Sequence, residues 1–467
     1  MGNHSIICGW LICVIVLSGC NTTKYVPENK YLLAKYSIVK DSRQLKNNEL
    51  KNYVKQKPNK RILGVKFHLW LYNLSNPQKN NWFHRWLRKI GEEPVIFNDL
   101  LKEQTTEQLH QYLVNKGYYN AKVTDTVKYS NKKAVTNYNI DAKVPYSIYD
   151  IQYFFEDTSI RDLVLSDTVN SLIEAGKQYD MDFLQEERKR LERLLQRNGY
   201  FNFSRNMVHF ELDSTVGNKQ VKINLHVTDA AIHNPGREVI PHKKYEVSKV
   251  NVYPDLTRDL LNEMDLKKIS LSDSFTIDSI HFFYAGNRTI KPSIILEMNQ
   301  IKPNEIFDIQ NVDRSYKNLS SLRIFRLIDI DFSEETIQPQ DSLYPLECNI
   351  KMVPLKRQNY SVAGEFTNSG GDFGIGGNLV YQHKNLFKGA EIFNLTFNGA
   401  TEWIQDPVTD AYNNYAEYGI ESRVSFPKFL LPVATAKFIS RYNPKTSISV
   451  SYKYQIGRAS CRERVCH

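Results

Sequence analysis

Six cysteines, eleven histidines and a glycine-rich run are the residues of this 467-residue chain best suited to chemistry. Their spacing argues against most of it. A zinc hydrolase needs a His-Glu-x-x-His helix, a serine hydrolase a Gly-x-Ser-x-Gly elbow, and a nucleotide loop Gly-Lys-Ser/Thr. The sequence contains none of these. The histidines are scattered, and His233 and His242 share a Pro/Gly-containing loop without ligand spacing. The glycines of SGGDFGIGGN (369–378) alternate with strand-forming residues, and no helix follows to hold a phosphate. They read as room for a hairpin in a barrel wall. We expect no catalytic residue, no metal site and no cofactor.

One cysteine has a context of its own. Residues 1–19, MGNHSIICGWLICVIVLSG, hold an apolar run from Ile6 to Leu17, too short to span a bilayer and suited to a signal peptide. It stops at Leu17-Ser18-Gly19-Cys20, which resembles a bacterial lipobox, although no Lys or Arg precedes the run. In such signals cleavage falls before the cysteine and its thiol carries the lipid, so Cys20 is expected to tether the mature chain to a membrane. At the other end, IGRASCRERV (456–465) matches the translation of a common sequencing adapter, and we read 456–467 as foreign to the native chain. Cys8 and Cys13 leave with the signal, and Cys461 and Cys466 belong to the foreign tail. Cys348 then stands alone, without a partner for an internal disulfide even where export would permit one. The formal charge of +10 falls to about +8 without Arg458, Arg462, Arg464 and Glu463, which still suits work beside an anionic membrane. Charge alone favours nucleic acid, and export argues against it.

Two further stretches, NKGYYNAKV (115–123) and RNGYFNFSR (197–205), repeat one design about 80 residues apart, the spacing of a repeated small domain. Before Gly199, Leu184, Leu191, Leu194 and Leu195 share a helical face, and Asp182 with Gln185 has the form of a capping box. Leu109, Tyr112 and Leu113 precede Gly117 in the same way. Both glycines stand where a helix end needs a left-handed residue, with two aromatics behind them. A second repeat, Tyr-x-aliphatic-x-x-aliphatic-x-apolar, begins at Tyr146 and at Tyr245 and reads as an opening strand. Between residues 146 and 230 the predicted order is β-α-α-β-β. Strands 220–228 and 348–354 end their units and are expected to offer exposed edges.

From residue 358 the pattern changes. Tyr360, Val362 and Phe366 alternate with Ser361, Ala363, Glu365 and Thr367, and similar alternation runs through Phe393–Phe397, Tyr418–Phe426 and Ile448–Tyr454. Strands of about 10 residues, apolar on one face and ending in aromatics, fit a transmembrane β-barrel. A soluble sandwich gives the same alternation. The signal and lipobox favour the outer membrane.

Three features together resemble the BamA/TamA outer-membrane assembly proteins, in their TamL-like lipoprotein branch: CNTTKYVPENKYLL (20–33), the repeated units, and HKNLFKGAE (383–391). The resemblance implies an α+β fold: three POTRA-like β-α-α-β-β domains, followed by the first strands of a truncated transmembrane β-barrel. Signal peptide 1–19 would precede POTRA-like domains at 33–145, 146–240 and 241–355, with the barrel start at 356–455. Asn385, Leu386, Phe387 and Gly389 are similar to the family's Asn-Leu-Phe-Gly turn between early barrel strands, and LSSLRIFRLIDIDF (319–332) resembles its last POTRA helix and strand. The implied activity is non-enzymatic insertion of unfolded outer-membrane clients, with a TamB-like periplasmic partner and the outer-membrane bilayer as surroundings. A passive pore or a secretion translocator is the alternative. One segment departs from the pattern. In the basic, aromatic insertion at 57–89, Trp70, Trp82 and Trp86 interleave with Lys60, Arg61, Arg85 and Arg88, reading either as a lipid interface or as an elaborated core with a solvated basic face.

Overall fold

The computed structural model describes residues 22–62, 64–229, 241–257, 273–286, 288–335, 343–369, 372–405, 412–430 and 444–456. Cys20, His233 and the adapter-like tail from 457 lie outside the described residues. The chain divides into two compact units, one comprising residues up to Arg161 with Leu165–Arg190 and Arg205–Pro235, the other comprising Asp162–Val164, Leu191–Ser204 and everything from Gly236.

The first repeat runs β1 (Leu32–Lys40), α1 (Asn47–Leu50), α2 (Phe67–Leu74), α3 (Trp82–Ile90), α4 (Asp99–Asn115), β2 (Lys122–Ser130) and β3 (Lys133–Asp141). The strand order is β1-β3-β2, with β1 parallel and β2 antiparallel to β3. Asn131 and Lys132 both take positive φ (47° and 57°), the geometry whose twist matches a two-residue hairpin. Alternate residues of β3 face inward, and Tyr138 and Ile140 pack with Leu50, Leu109, Leu113 and Tyr118. The insertion forms α2 and α3. Gly91 ends α3 so close to α2 that a Cβ would meet the Tyr72 backbone nitrogen at 2.7 Å.

The second repeat runs β4 (Ser147–Phe155), α5 (Arg161–Ser166), α6 (Met181–Gln196), β5 (Val208–Asp213) and β6 (Gln220–Val227). Its order is β4-β6-β5, again with the first strand parallel to the last. The capping box expected at Asp182 is displaced. Asp180 caps α6, its Oδ1 accepting the Asp182 N–H at 2.9 Å, which leaves the Asp182 carboxylate free to pair with Lys116 at 2.9 Å.

The third repeat contains β7 (Lys244–Tyr253), β8 (Asp273–Ile277), β9 (Ile280–Tyr284), α7 (Pro292–Met298), β10 (Glu305–Ile306), α8 (Ile309–Ser321), β11 (Phe325–Glu334) and β12 (Leu343–Pro354). The order β11-β12-β7 repeats the topology, and the β8–β9 hairpin widens the sheet beyond β7. Val250, Val252, Phe282, Ile295, Leu319 and Ile350 form its core, and Cys348 is buried among them. Burial pushes the Cys348 thiol well above the usual range, so it acts as a small packing group.

This topology corrects the expected edges. Strands 220–228 and 348–354 correspond to β6 and β12, and both are central: β6 lies between β4 and β5, and β12 between β11 and β7. The opening strand returns parallel to the last one and covers its far side. The outer strands are β4 and β5 in the second repeat, and β8 and β11 in the third.

The last sheet is a five-stranded antiparallel meander: β13 (Gln358–Ser369), β14 (Asp372–Lys384), β15 (Ile392–Gln405), β16 (Tyr412–Phe426) and β17 (Thr446–Ile456). Its register places Tyr360 opposite Tyr381, Leu379 opposite Phe397, Phe397 opposite Ile420, and Ile420 opposite Tyr452. Cross-strand partners share a face, so the apolar positions of all five strands form one continuous surface. It is exposed: Val362 is 78% and Val450 73% accessible. The opposite face carries Ser, Asn, Glu and Lys, including the Lys453–Glu417 pair at 2.5 Å. Among the described residues no helix is long and apolar enough to cross a membrane.

Candidate functional site

Where α4 ends, Gly117 takes φ +85°, and the Tyr118 N–H reaches back to the Leu113 carbonyl at 2.8 Å. The Gly117 carbonyl then accepts the N–H of Tyr146, the residue that opens the next repeat, at 2.8 Å. The Tyr146 carbonyl in turn accepts the Tyr179 N–H at 2.9 Å. Tyr119 seals the contact, its ring 5.0 Å from Tyr146 and 5.7 Å from Tyr179. A Cβ on Gly117 would stand 2.6 Å from the Tyr179 carbonyl oxygen. Beside the joint, Lys116 holds Asp180 at 2.7 Å and Asp182 at 2.9 Å. Burial alone disfavours the Lys116 ammonium, but these hydrogen bonds outweigh it and hold its pKa above the ordinary lysine value.

The same joint recurs after α6. Gly199 takes φ +98°, its carbonyl accepts the Tyr245 N–H at 2.9 Å, and the Tyr245 carbonyl accepts the Phe307 N–H at 3.0 Å. Phe201 occupies the place of Tyr119, 5.8 Å from Tyr245 and 5.1 Å from Phe307. A Cβ on Gly199 would stand 2.8 Å from Lys244 Cγ and 2.9 Å from Ile306 Cγ2. Burial raises the phenol pKa of both Tyr179 and Tyr245, which keeps both neutral. The glycine caps and the opening tyrosines were separate signals in the sequence; here they touch. Tyr179 and Phe307 carried no signal, because each joins through a backbone N–H that any residue except proline supplies.

A third joint lies between β14 and β15. Asn385, Lys388 and Ala390 all have positive φ (64°, 63° and 60°), an uncommon backbone for non-glycine residues that surrounding contacts must hold. Glu391, itself buried, supplies some of them: Oε2 accepts the N–H groups of Phe387 (3.1 Å) and Gly389 (3.0 Å). A Cβ on Gly389 would strike the same carboxylate. Asn385 Oδ1 accepts the Ala390 N–H at 2.9 Å, and its Nδ2 donates to the Thr289 carbonyl at 2.6 Å. Lys291 donates its N–H to the Lys388 carbonyl at 2.7 Å, and Ala390 is part of the third repeat's core. The turn thus locks the five-stranded sheet to the loop before α7. Phe387 is 61% exposed and contributes its backbone N–H, not its ring, to the lock. Glu391 sat within the quoted motif, but its role depends on backbone that only the turn creates.

Among the described residues no three His, Cys, Asp or Glu side chains gather in a way that could hold a metal. The glycines 374 and 376 lie within β14, paired with Glu402 and Ala400 of β15. The arrangement can tie each glycine cap to the strand that follows it and present strands and an apolar sheet face.

No family model matches the chain, and no curated protein does. Among solved structures, it is similar to the POTRA3-5 region of BamA from Haemophilus influenzae, at 13% identity and a TM-score of 0.33, over 70% of this chain and 99% of that one. It is similar to BamA from Haemophilus ducreyi lacking POTRA domains 1-3, at 13% identity and a TM-score of 0.33, over 67% of this chain and 52% of that one. It is also similar to CdiB from Acinetobacter baumannii, at 10% identity and a TM-score of 0.26, over 77% of this chain and 63% of that one. Scores this low do not establish a shared fold, so the functional reading rests on the chain's own geometry.

Proposed function

We propose that this chain is a non-enzymatic assembly and translocation factor of the outer membrane, a TamL-like lipoprotein with three POTRA-like repeats at the periplasmic side of a β-barrel. One observation carries the reading. The five-stranded meander exposes a continuous apolar face and has a polar one behind it, the pattern of a barrel wall between lipid and lumen. The strands, of 11 to 15 residues, are long enough to cross a hydrocarbon core at a tilt.

In this reading the outer strands β4, β5, β8 and β11 are where an unfolded client or a TamB-like partner adds a strand. Backbone pairing is tolerant of side chains, so one edge serves many clients. The sheet's outer strands form the seam through which client strands enter the bilayer. Cys20 carries the lipid that holds the chain at the membrane. The full-length protein in liposomes should accelerate insertion of an outer-membrane β-barrel client. Solute flux without accelerated insertion would reject assembly in favour of a passive pore. Labelling with a fatty-acid analogue should mark the wild type and spare Cys20→Ser; equal labelling would reject the anchor.

A further inference from the structure

The helix pair of the first repeat has a face that the fold leaves bare. In α3, Trp82, Phe83, Trp86, Leu87 and Ile90 lie on one side, and Arg85, Arg88 and Lys89 on the other. Leu87 is buried against the repeat, whereas Trp82 is 73%, Trp86 49%, Phe83 46% and Ile90 40% exposed. Phe83 and Trp86 stack at 6.2 Å, so the face is ordered by its own rings. Arg88 is tied down, donating to the carbonyls of Asn76 (2.9 Å) and Lys79 (3.1 Å), while Arg85 and Lys89 remain exposed.

The start of the mature chain is fastened to the same place. Lys24 Nζ donates to the Asn73 carbonyl at 2.8 Å, Tyr25 Oη donates to the Ser75 carbonyl at 2.6 Å, and Val26 packs with Leu69 of α2. Four residue steps separate Lys24 from Cys20, a reach of at most about 14 Å. A lipid on Cys20 therefore brings the bilayer surface to the helix pair, whatever path those residues take.

We infer that α3 is an interfacial helix that lays its aromatic face into the anionic bilayer to which Cys20 is tethered. Tryptophans at the headgroup boundary and exposed basic residues beside them are what such a surface recognises. The inference rests on the proposed tether for its reach and on the chemistry of α3 for its affinity. Two contacts, one covalent and one adsorbed, would fix the orientation of the first repeat above the membrane, which a single flexible lipid cannot do.

The test uses the whole chain reconstituted into vesicles containing phosphatidylglycerol, with acyl chains brominated or not. Emission from Trp82 and Trp86 is the difference between the wild type and the Trp82→Phe/Trp86→Phe variant, which keeps the apolar face and removes the reporters. That emission should fall by roughly half in brominated vesicles, as expected for a face buried at the headgroup–acyl boundary. Phosphatidylcholine alone, or Arg85→Glu with Lys89→Glu, should restore most of it. Equal emission in both vesicle types overturns the inference. So does a pair that is shielded from aqueous acrylamide yet out of reach of brominated chains, because a protein or a second copy then covers the face. Cys20→Ser run in parallel separates the two readings. Quenching that persists there supports adsorption by α3 alone, even if fatty-acid labelling rejects the anchor. Quenching lost only there supports adsorption that needs the tether.

Discussion

The carbonyl of Gly199 accepts the N–H of Tyr245 at 2.9 Å, and 82 residues earlier the carbonyl of Gly117 accepts the N–H of Tyr146 at 2.8 Å. A helix cap and the first strand of the following repeat are therefore one structural device, used twice. Each glycine serves two needs: a left-handed turn and a backbone bare enough for the next repeat to approach.

That double need sets an order of costs. Gly217 has φ +88° and open space around its missing Cβ, so Gly217→Ala should cost only backbone strain, roughly 1 kcal/mol. Gly117→Ala adds a collision with the Tyr179 carbonyl and should cost roughly 3 kcal/mol. Gly199→Ala meets side chains that can move and should fall between them. Urea midpoints of the whole chain measure this; a short piece ending near residue 230 lacks Lys244 and Ile306. Equal losses at Gly217 and Gly117 would show that the close approach contributes nothing.

Asn385 tests the lock on the five-stranded sheet. Asn385→Gly keeps the positive φ and removes both side-chain hydrogen bonds, which should loosen the turn by roughly 2 kcal/mol. Hydrogen exchange at the Lys291 N–H, which is bonded to the Lys388 carbonyl, should then speed up roughly tenfold or more. Unchanged exchange would place the lock elsewhere.

Lys66 gives a pH dependence of opposite sign to a salt bridge. It is 9% exposed, and burial, with the nearby positive charges of Arg61 and Lys133, lowers its pKa from 10.5 to about 8. Near neutral pH the folded chain therefore holds a poorly solvated charge. Between about pH 8 and 10.5 the folded state has released this proton and the unfolded state has not, so the Lys66 contribution to stability rises with pH. Lys66→Met should stabilise the chain near neutral pH by roughly 2 kcal/mol, with the gain fading above pH 8. A gain that is flat from pH 7 to 10 would contradict this origin.

The apolar sheet face makes a prediction that differs between lipid and water. Val362→Arg should hinder membrane insertion by roughly 2–4 kcal/mol, whereas Ser361→Arg, on the opposite face of β13, should be nearly neutral. Both positions are exposed in the chain itself, so the difference between them should appear only when lipid is present. Partitioning of the two variants into vesicles separates the cases.

Much of this was legible locally. The positive φ at Gly117 and Gly199, the alternation of β13 to β17, and the opening strands at Tyr146 and Tyr245 follow from residues close in sequence. A missing Cβ or a period of two acts within a few residues, so the sequence by itself determined these elements. It also marked 57–89 as basic and aromatic but left its surface open; the helix pair then buried Leu69 and Leu87 and left Phe67, Trp82, Phe83 and Trp86 exposed.

What the tertiary structure decided is which elements meet. The parallel pairs β1–β3, β4–β6 and β7–β12 join strands 70 to 100 residues apart, and they turned the expected edges at β6 and β12 into centres. Tyr179 and Phe307 join through main-chain N–H groups and Thr289 through its carbonyl, groups that all residues carry apart from the N–H of proline and that no sequence pattern distinguishes. Asp180, not Asp182, caps α6, and both carboxylates pair with Lys116, a residue of the preceding repeat that no local pattern brings near them. Side-chain period fixes a strand's faces, but backbone hydrogen bonding fixes its neighbours, and only the folded chain chooses among equivalent backbones.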